Sequence, residues 1–293
     1  AVREHFAELP SRERPRILSV DSLPDTLAAS YMNPMMTLQG QQLMASMSTM
    51  PVDQPAFLQY TSGSTRVPAG VQLTNRSILT NVLQIFTAAR LRTPLRLVSW
   101  LPLHHDMGII LALFVTILGL PNEIMSPRDF IQQPKRWVDQ LNRRDSDEGV
   151  SVYTVVPNFA LELAARYGTP KEGETLDLSA LDGIIIGSEP VTEKALDSFR
   201  AAFGPYGLVD TVLRPSYGLA EASLLVTTPQ TKERPLISYF DRDKLAEGVV
   251  EFVEKDSELA VAFASNGQVV RPQALTIVDP ETRAELPDGQ IGE

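Results

Sequence analysis

A segment rich in hydroxyl groups, YTSGSTRVPAG, occupies residues 60–70. Its hydroxyl groups belong to Thr61, Ser62, Ser64 and Thr65, and Gly63 lets the main chain turn its N–H groups toward one point. Neutral donors that converge on one point suit a phosphate chain, because they satisfy its oxygens without burying a full counter-charge. The segment is not a Walker loop, since Gly63 and Gly70 are spaced too far apart and Ala69 stands where a lysine would be sought. A polar surface turn is the alternative interpretation.

The segment LPLHHDMG, residues 101–108, contains two of the three histidines. His104 and His105 follow a predicted strand, where α/β sheets bind ligands. A metal site is poorly supported, because adjacent strand residues point to opposite faces and no third ligand lies close by. A Ser-His-Asp hydrolase is also disfavoured, because the sequence has no G-x-S-x-G segment. A structural histidine pair remains an alternative to a substrate-binding role.

Two further segments place carboxylates after predicted strands. GSEP (187–190) ends one apolar run, and SYGLAE (216–221) ends another. Glu189 and Glu221 are therefore expected at the carboxyl edge of a sheet, where a carboxylate suits Mg²⁺ that carries phosphates, and Tyr217 offers a flat face to a base. The alternative for each glutamate is a helix N-terminus, which the helix dipole favours. All four segments are expected at strand ends of one sheet.

The region between Asp53 and Asp106 contains five arginines and no acidic residue. The arginines are Arg66, Arg76, Arg90, Arg92 and Arg96. Such local positive charge in a chain of net charge −10 favours a nearby anion. For the last three arginines, a solvated helix face is the preferred interpretation.

The elements that must position these residues alternate from Phe57 to about Thr228. Strands are predicted at 96–103, 150–157, 183–189 and 209–218. Helices are predicted at 77–90, 133–144, 158–168 and 191–204. The apolar run Met107–Pro121 falls short of the roughly 18 residues of a membrane span and predicts a buried helix. Strands separated by helices indicate an α/β fold with a parallel sheet covered on both faces.

Composition bounds the partners and the domains. The net charge of −10 argues against a nucleic acid or an anionic membrane as partner, and the absence of cysteine fits a cytoplasmic protein. We predict a remnant of a preceding subdomain and connector at 1–50, an α/β subdomain that carries the four segments at 51–228, and a smaller β-rich subdomain at 229–293. Both ends of the sequence look like cuts through a longer protein.

The four segments, in this order, resemble the phosphate loop, the acyl-site histidine motif, the adenine-side loop and the base- and Mg²⁺-binding segment of adenylate-forming enzymes. The resemblance runs from about Gln54 to the C-terminus. Arg66, Ala69 and Ala220 stand where most members have Gly, Lys and Thr. GSTRVPAG, HHDMG and YGLAE together are similar to the fatty acyl-AMP ligase branch, which serves lipid and polyketide assembly, including that of mycolic acids, in mycobacteria and their relatives.

The resemblance implies a fold and a reaction. The chain would be the central portion of the large N-terminal domain, a mostly parallel sheet with helices on both faces plus the β-rich subdomain. A fatty acid and ATP, with Mg²⁺, would give an acyl-adenylate and pyrophosphate, and the acyl group would pass to an acyl carrier protein or a polyketide synthase carrier domain. The ribose-binding Asp and the C-terminal domain with its catalytic Lys are absent from the sequence, so the fragment itself is expected to be inactive.

The resemblance also assigns roles to residues. His105 and Glu221 are the expected catalytic residues, and Glu221 is the expected Mg²⁺ ligand. The expected nucleotide-binding residues are Thr61, Ser62, Gly63, Ser64, Thr65, Gly187, Ser188, Glu189, Pro190, Ser216, Tyr217, Gly218, Leu219 and Ala220. The expected acyl-binding residues are His105, Asp106, Met107, Gly108 and Ile109.

Two alternative functions stay open. The first is a fatty acyl-CoA ligase of the same fold. In the AMP ligase, an inserted segment at about 229–268 is expected to restrain the C-terminal domain and block a coenzyme A channel. Deleting part of that segment from the full-length AMP ligase should then release acyl-CoA synthesis. A non-catalytic nucleotide-binding module is slightly favoured by Ala69 and Ala220, whereas Ser62–Thr65, His105 and Glu221 favour an enzyme.

Overall fold

The computed structural model describes residue 10 and residues 37–47, 52–61 and 69–293. The chain divides into two units, residues 1–51 and 52–293. In the first unit the structure describes one helix, α1 (Leu38–Met47). All features discussed below belong to the second unit.

The second unit alternates strands and helices along most of its length. The strands are β1 (Pro55–Tyr60), β2 (Gly70–Thr74), β3 (Leu95–Ser99), β4 (Asn122–Ile124), β5 (Ser151–Pro157), β6 (Leu181–Gly187), β7 (Leu213–Pro215), β8 (Tyr217–Gly218), β9 (Leu225–Thr228), β10 (Ile237–Asp241), β11 (Ala260–Ala264) and β12 (Gln268–Val269). The helices are α2 (Asn75–Ala88), α3 (Asp106–Leu118), α4 (Pro127–Gln132), α5 (Lys135–Leu141), α6 (Asn158–Tyr167), α7 (Glu193–Phe203) and α8 (Arg242–Ala246). Among the helices that the structure describes, none has both the length and the apolar character needed to cross a bilayer.

A five-stranded parallel sheet, ordered β4-β3-β5-β6-β7, organises this unit. Every residue of β3 is buried, and so is nearly all of β5, which requires cover on both faces. On one face, Trp137 of α5 donates a hydrogen bond to Thr154. On the other face, Phe114 of α3 lines a cavity together with Tyr153 and Val155. The predicted α/β fold with a parallel sheet is confirmed.

Helix α3 is the buried helix that the apolar run predicts. Ile110 and Phe114 are fully buried along it, and the helix ends at Gly119, which has a φ of 65°. A positive φ is readily adopted by glycine and caps the C-terminus of a helix.

The predicted strand 209–218 is divided in the structure. A 3₁₀ turn at Asp210–Val212 precedes β7, and β8 leaves the parallel sheet to pair with β9. Ser216 N–H still donates to Ile186 O of β6 at 2.8 Å, so the chain leaves the parallel sheet only at Tyr217, the first residue of β8. The segment that follows is thereby turned away from the sheet.

The hydroxyl-rich segment, residues 60–70, does not end a strand of the parallel sheet, which corrects the expectation of one common sheet. It connects β1 and β2, which form a separate antiparallel pair. The connection is too short for the crossover that parallel neighbours require, so a hairpin is the accessible arrangement. The other three segments do follow strands β3, β6 and β7.

Arg96 corrects the interpretation of a solvated helix face. It lies in β3, is 4% exposed, and its guanidinium contacts Asp147 Oδ2 at 2.8 Å and Glu123 Oε1 at 3.3 Å. Arg92 is exposed but lies 3.6 Å from Asp182. Because these cations have acidic partners from distant segments, they do not add to a free positive field near the hydroxyl-rich segment.

The strands β10 and β11 pair antiparallel and pack against α7. Glu193, the first residue of α7, accepts hydrogen bonds from the Tyr239 hydroxyl at 2.5 Å and from Lys255 Nζ at 2.7 Å. The charge-rich part of the chain after residue 229 is therefore tied to the helix that follows the GSEP segment. The division at 228/229 stays a prediction.

Candidate functional site

An open cavity of about 450 Å³ lies among three of the four segments. Its lining residues are Gln59, Tyr60, Thr61, His104, His105, Asp106, Leu219, Ala220 and Glu221. The segment after β3 lies beside the point where the sheet order reverses, with β4 on one side of β3 and β5 on the other. In α/β sheets such a crevice at the carboxyl ends of strands is the usual ligand site.

His105 is the N-cap residue of α3, and its ring is bound to the next residue. Its Nδ1 lies 2.6 Å from Asp106 Oδ1, an oxygen that also accepts the main-chain N–H of Met107 at 2.7 Å. The contact from Met107 N–H to Nδ1 is longer, 3.4 Å. The short contact places a proton on Nδ1, so Nε2 is the ring nitrogen available to a ligand.

The hydrogen bond that His105 donates to Asp106 raises the pKa of His105 above its ordinary value of 6.5, against the opposing effect of burial. For Asp106, burial raises the pKa, but the bonds from His105 and Met107 outweigh it and leave that pKa below 3.8. The stabilisation from the charged pair is thus fully present between pH 3.8 and 6.5; it is lost as the pH rises through the raised pKa of His105 and as the pH falls through the lowered pKa of Asp106.

Asp106→Asn is expected to lower the pKa of His105 toward 6.5, because the variant removes the negative charge and keeps the side-chain shape. The His105 ring signals in an NMR titration measure this pKa. His104→Gln serves as control and should leave the His105 titration in place. An unchanged pKa in Asp106→Asn would show that the carboxylate does not control the ring.

The β1–β2 hairpin positions the first segment against the histidine segment. Thr61 N–H donates to Ala69 O at 3.0 Å, and the buried Gln59 side chain donates to His104 O at 3.2 Å. The predicted phosphate-binding residues Ser62, Gly63, Ser64 and Thr65, together with Arg66, lie outside the described residues. Of the described residues of this segment, Tyr60 and Thr61 line the cavity.

A second, narrower cavity of about 50 Å³ joins the GSEP and SYGLAE segments. The predicted site residues that line it are Asp106, Met107, Gly187, Ser188, Ser216, Tyr217 and Gly218. Tyr217 is 45% exposed and so presents ring surface to solvent. Ser188 has a φ of 63°, a conformation uncommon outside glycine that is concentrated at functional sites.

Glu221 lies in a 3₁₀ turn, Ala220–Ala222, on the first cavity. Leu219 N–H donates to Leu224 O at 2.9 Å and closes this loop, and Ser223 inside it has a φ of 69°. The Glu221 side chain is exposed. Within the described ranges no group of three or more His, Asp or Glu side chains is arranged to hold a metal, so a single carboxylate fits only a Mg²⁺ whose other ligands are phosphates and water.

Four predicted residues do not line either cavity. Glu189 accepts the main-chain N–H of Phe159, near the start of α6, at 2.7 Å. This is the alternative role at a helix N-terminus that the sequence analysis considered for Glu189. Pro190 is exposed, and Ile109 is half-buried. Gly108 packs against the main chain of the histidine segment.

Ser216 lines the narrow cavity, but its hydroxyl is engaged with Arg214 O at 3.1 Å and Thr228 Oγ1 at 2.9 Å.

Gly108→Ala is expected to destabilise the protein by about 1–3 kcal/mol, the usual range for forced overpacking. An added Cβ would lie 2.1 Å from Pro102 O, a main-chain atom, so the start of α3 would have to shift away from the segment that carries His105. Urea unfolding measures the change. Gly204→Ala is the matched control, since Gly204 has a φ of −52° and no neighbour near an added Cβ; equal losses in both variants would contradict the account.

A third cavity, narrow and apolar, continues from the second. It has a volume of about 40 Å³ and shares Met107, Val155, Ile185, Leu224 and Leu225 with the second cavity. Met107, Leu111 and Phe114, all on the helix that the apolar run predicts, line it. Helix α3 therefore contributes both to the core and to this cavity.

Two polar residues near the site were missed in the sequence. No sequence pattern marked Gln59 as a site residue, because its hydrogen-bond partner, His104, is distant in sequence. Asn81 exchanges two hydrogen bonds with the main chain of Leu225, at 2.9 and 3.0 Å, and thus holds the strand that follows the Glu221 loop. The sequence could have indicated Asn81, because it is a polar residue beside Ile78 and Val82 on the buried face of α2.

Comparison with known proteins gives a consistent result. The AMP-binding enzyme family matches residues 3–293. The chain is 42% identical over its whole length to the long-chain-fatty-acid–AMP ligase FadD32 of Mycolicibacterium smegmatis and 43% identical to FadD32 of Mycobacterium marinum. It spans 44% of the length of these curated relatives.

A solved structure is also similar. It is the fatty acyl-adenylate ligase from L. pneumophila in complex with acyl adenylate and pyrophosphate, with a TM-score of 0.74 and 32% identity. The similarity covers 85% of this chain and 44% of that one. The resemblance to fatty acyl-AMP ligases inferred from the motifs is confirmed.

Proposed function

The chain belongs to the AMP-binding enzyme family, and we propose that the protein activates a fatty acid with ATP, forming an acyl-adenylate and releasing pyrophosphate. The observation that carries this proposal is the open cavity in which Thr61, His105 and Glu221 meet from three separate segments. The names of the relatives support the same reaction. Because the chain spans less than half of those relatives, the activity is proposed for the full-length gene product.

The reaction forms a bond between a carboxylate oxygen and the α-phosphorus of ATP and breaks the bond from that phosphorus to pyrophosphate. Alignment of the two reactants is the main requirement. His105 offers its free Nε2 to the fatty acid carboxylate, and its raised pKa favours the charged ring that would attract this anion. In this proposal Tyr217 and Ser188 contact the adenine, together with Gly187 and Gly218.

Glu221 is the proposed ligand for Mg²⁺, which would neutralise charge on the phosphates when bound. Ser62, Gly63, Ser64 and Thr65 are proposed to donate hydrogen bonds to the outer phosphates, as hydroxyls and main-chain N–H groups do in other phosphate loops. The apolar cavity beyond Met107 suits an acyl chain, because its lining has almost no polar surface.

Later steps and context are also proposed. The acyl group passes to an acyl carrier protein or to the carrier domain of a polyketide synthase in the cytoplasm, and the segment at 229–268 restrains the enzyme from using coenzyme A. The contacts of Tyr239 and Lys255 with Glu193 support a fixed position of this segment beside α7. Deleting part of it should release acyl-CoA synthesis.

The test uses the full-length gene product with ATP, Mg²⁺ and radiolabelled dodecanoate, with and without coenzyme A. Acyl-adenylate that persists when coenzyme A is added supports the proposal. Conversion to acyl-CoA would instead assign a fatty acyl-CoA ligase. Nucleotide binding without either product, from folded protein, would assign a non-catalytic nucleotide-binding module.

A further inference from the structure

Tyr153 lies deeper in the apolar cavity than Val155 and Ile185, two of the residues that this cavity shares with the narrow cavity of about 50 Å³. It pairs with Leu97 on β3 and with Gly183 on β6, whereas Val155 and Ile185 pair two residues nearer the carboxyl edge. Tyr153 and Val155 share one face of the sheet, because side chains alternate along a strand. The narrow cavity of about 50 Å³ reaches Val155 and Ile185 but not Tyr153. The apolar cavity therefore runs from the carboxyl edge of the sheet toward Tyr153.

The Tyr153 hydroxyl is held on two sides. It donates to Asp182 Oδ2 at 2.5 Å and accepts the main-chain N–H of Arg92 at 3.0 Å. Burial, followed by the bond to Asp182, raises the pKa of Tyr153 to about 12, so the hydroxyl remains a donor at neutral pH. The end of the cavity is thus fixed to β6 and to the loop before β3.

The ring of Tyr153 has no spare room on its β6 side. A Cβ added at Gly183 would lie 2.8 Å from Cδ1 of the ring, so only glycine lets the ring lie against the strand. The walls nearer the mouth include Met107 and Leu111, and a methionine side chain adapts readily to a new neighbour. The mouth can therefore adjust, whereas the deep end is held in place.

A polar cavity of about 320 Å³ lies on the far side of the same hydrogen bonds. Arg92, Asp182 and Leu181 are among its lining residues. An apolar chain that passed Tyr153 would displace the bonds of a buried hydroxyl and meet these charged groups, which is unfavourable. Tyr153 and its two partners thus separate an apolar space from a polar one.

We propose that Tyr153, held by Asp182 and Arg92, closes the deep end of the acyl-binding cavity and sets the greatest length of fatty acid that the protein accepts. This inference rests on the proposed function, since it takes the apolar cavity as the acyl site. The cavity holds only about three water molecules as it stands. Chain entry must therefore move its walls, and the wall that stays fixed determines the limit.

The test measures the dissociation constants of saturated fatty acids of increasing length with the full-length gene product, by isothermal titration calorimetry. Tyr153→Leu shortens the closing side chain and should improve binding of acids two carbons longer than the parent's best ligand, relative to that ligand, by about tenfold. Gly183→Ala should displace the ring into the cavity and shift the preference toward shorter acids. Val152→Ala alters the neighbouring buried residue on the opposite face of β5 and should leave the preference unchanged.

Circular dichroism shows whether Tyr153→Leu and Gly183→Ala fold. If one of them does not fold, the other still tests the inference. An unchanged length preference in a folded variant would overturn the inference, and so would an equal shift in Val152→Ala. Acyl-adenylate formation is measured in parallel. A shifted preference without adenylate supports the closed end and contradicts the proposed function, whereas a parent protein that binds no fatty acid contradicts both.

Discussion

Glu221→Gln is expected to reduce acyl-adenylate formation by about 100- to 1,000-fold, the usual effect of removing one group that stabilises developing charge. Glu221 is exposed on the open cavity and is held there by a closed loop. Glutamine keeps the size of the side chain but removes the negative charge that a divalent cation requires. The initial rate of adenylate formation, measured over a range of Mg²⁺ concentrations, gives the effect.

The variant should also need more Mg²⁺ for half-maximal rate. Glu162→Gln is the control, because it removes the same charge from the surface of α6, where Glu162 lies 3.3 Å from Lys194. That control should match the parent protein. Parent-like rates and an unaltered Mg²⁺ dependence in Glu221→Gln would remove Glu221 from the proposed mechanism.

Arg96→Met is expected to destabilise the protein by about 3–5 kcal/mol, the range observed when one partner of a buried ion pair is removed. Asp147 is 6% exposed and would retain only the main-chain N–H of Arg144, at 3.0 Å. Arg96 also donates to Gln140 O at 2.7 Å and Asn142 O at 2.9 Å. The free energy of unfolding from urea titration measures the loss.

Arg76→Met is the matched control, because Arg76 pairs with Asp53 on the surface, where solvent screening leaves an ion pair with little effect on stability. Burial raises the pKa of Asp147, but the bonds from Arg96 and Arg144 outweigh it and leave the pKa below 3.8. This stabilisation is present above pH 3.8 and is lost as the pH falls through the lowered pKa. The difference between Arg96→Met and the parent should therefore narrow in acid; a loss no larger than that of Arg76→Met would contradict the account.

The sheet and most helices were predictable because their residues carry local signals. Strands β3, β5 and β6 read as apolar runs, as strands buried on both faces do. Helix α2 begins at Asn75 after Thr74, which forms a capping box with Ser77. The order of the four segments was enough to indicate the family.

Other features depended on contacts that no local pattern encodes. Arg96 forms its ion pair with Asp147, which is separated from it in the sequence by β4 and two helices. An isolated arginine in an apolar strand therefore gave no indication of its acidic partner. The partner of Asn81 lies at Leu225, 144 residues away. The positive φ of Ser188 is imposed by surrounding structure, because serine has no intrinsic preference for it.

Exchange of labelled pyrophosphate into ATP tests the central claim most directly, because it reports reversible formation of the acyl-adenylate. The full-length gene product is incubated with ATP, Mg²⁺ and labelled pyrophosphate, with and without dodecanoate. The account predicts label in ATP only when the fatty acid is present, and loss of that label in Glu221→Gln. Label that enters ATP without a fatty acid, or no label from folded protein with all components present, would contradict the claim.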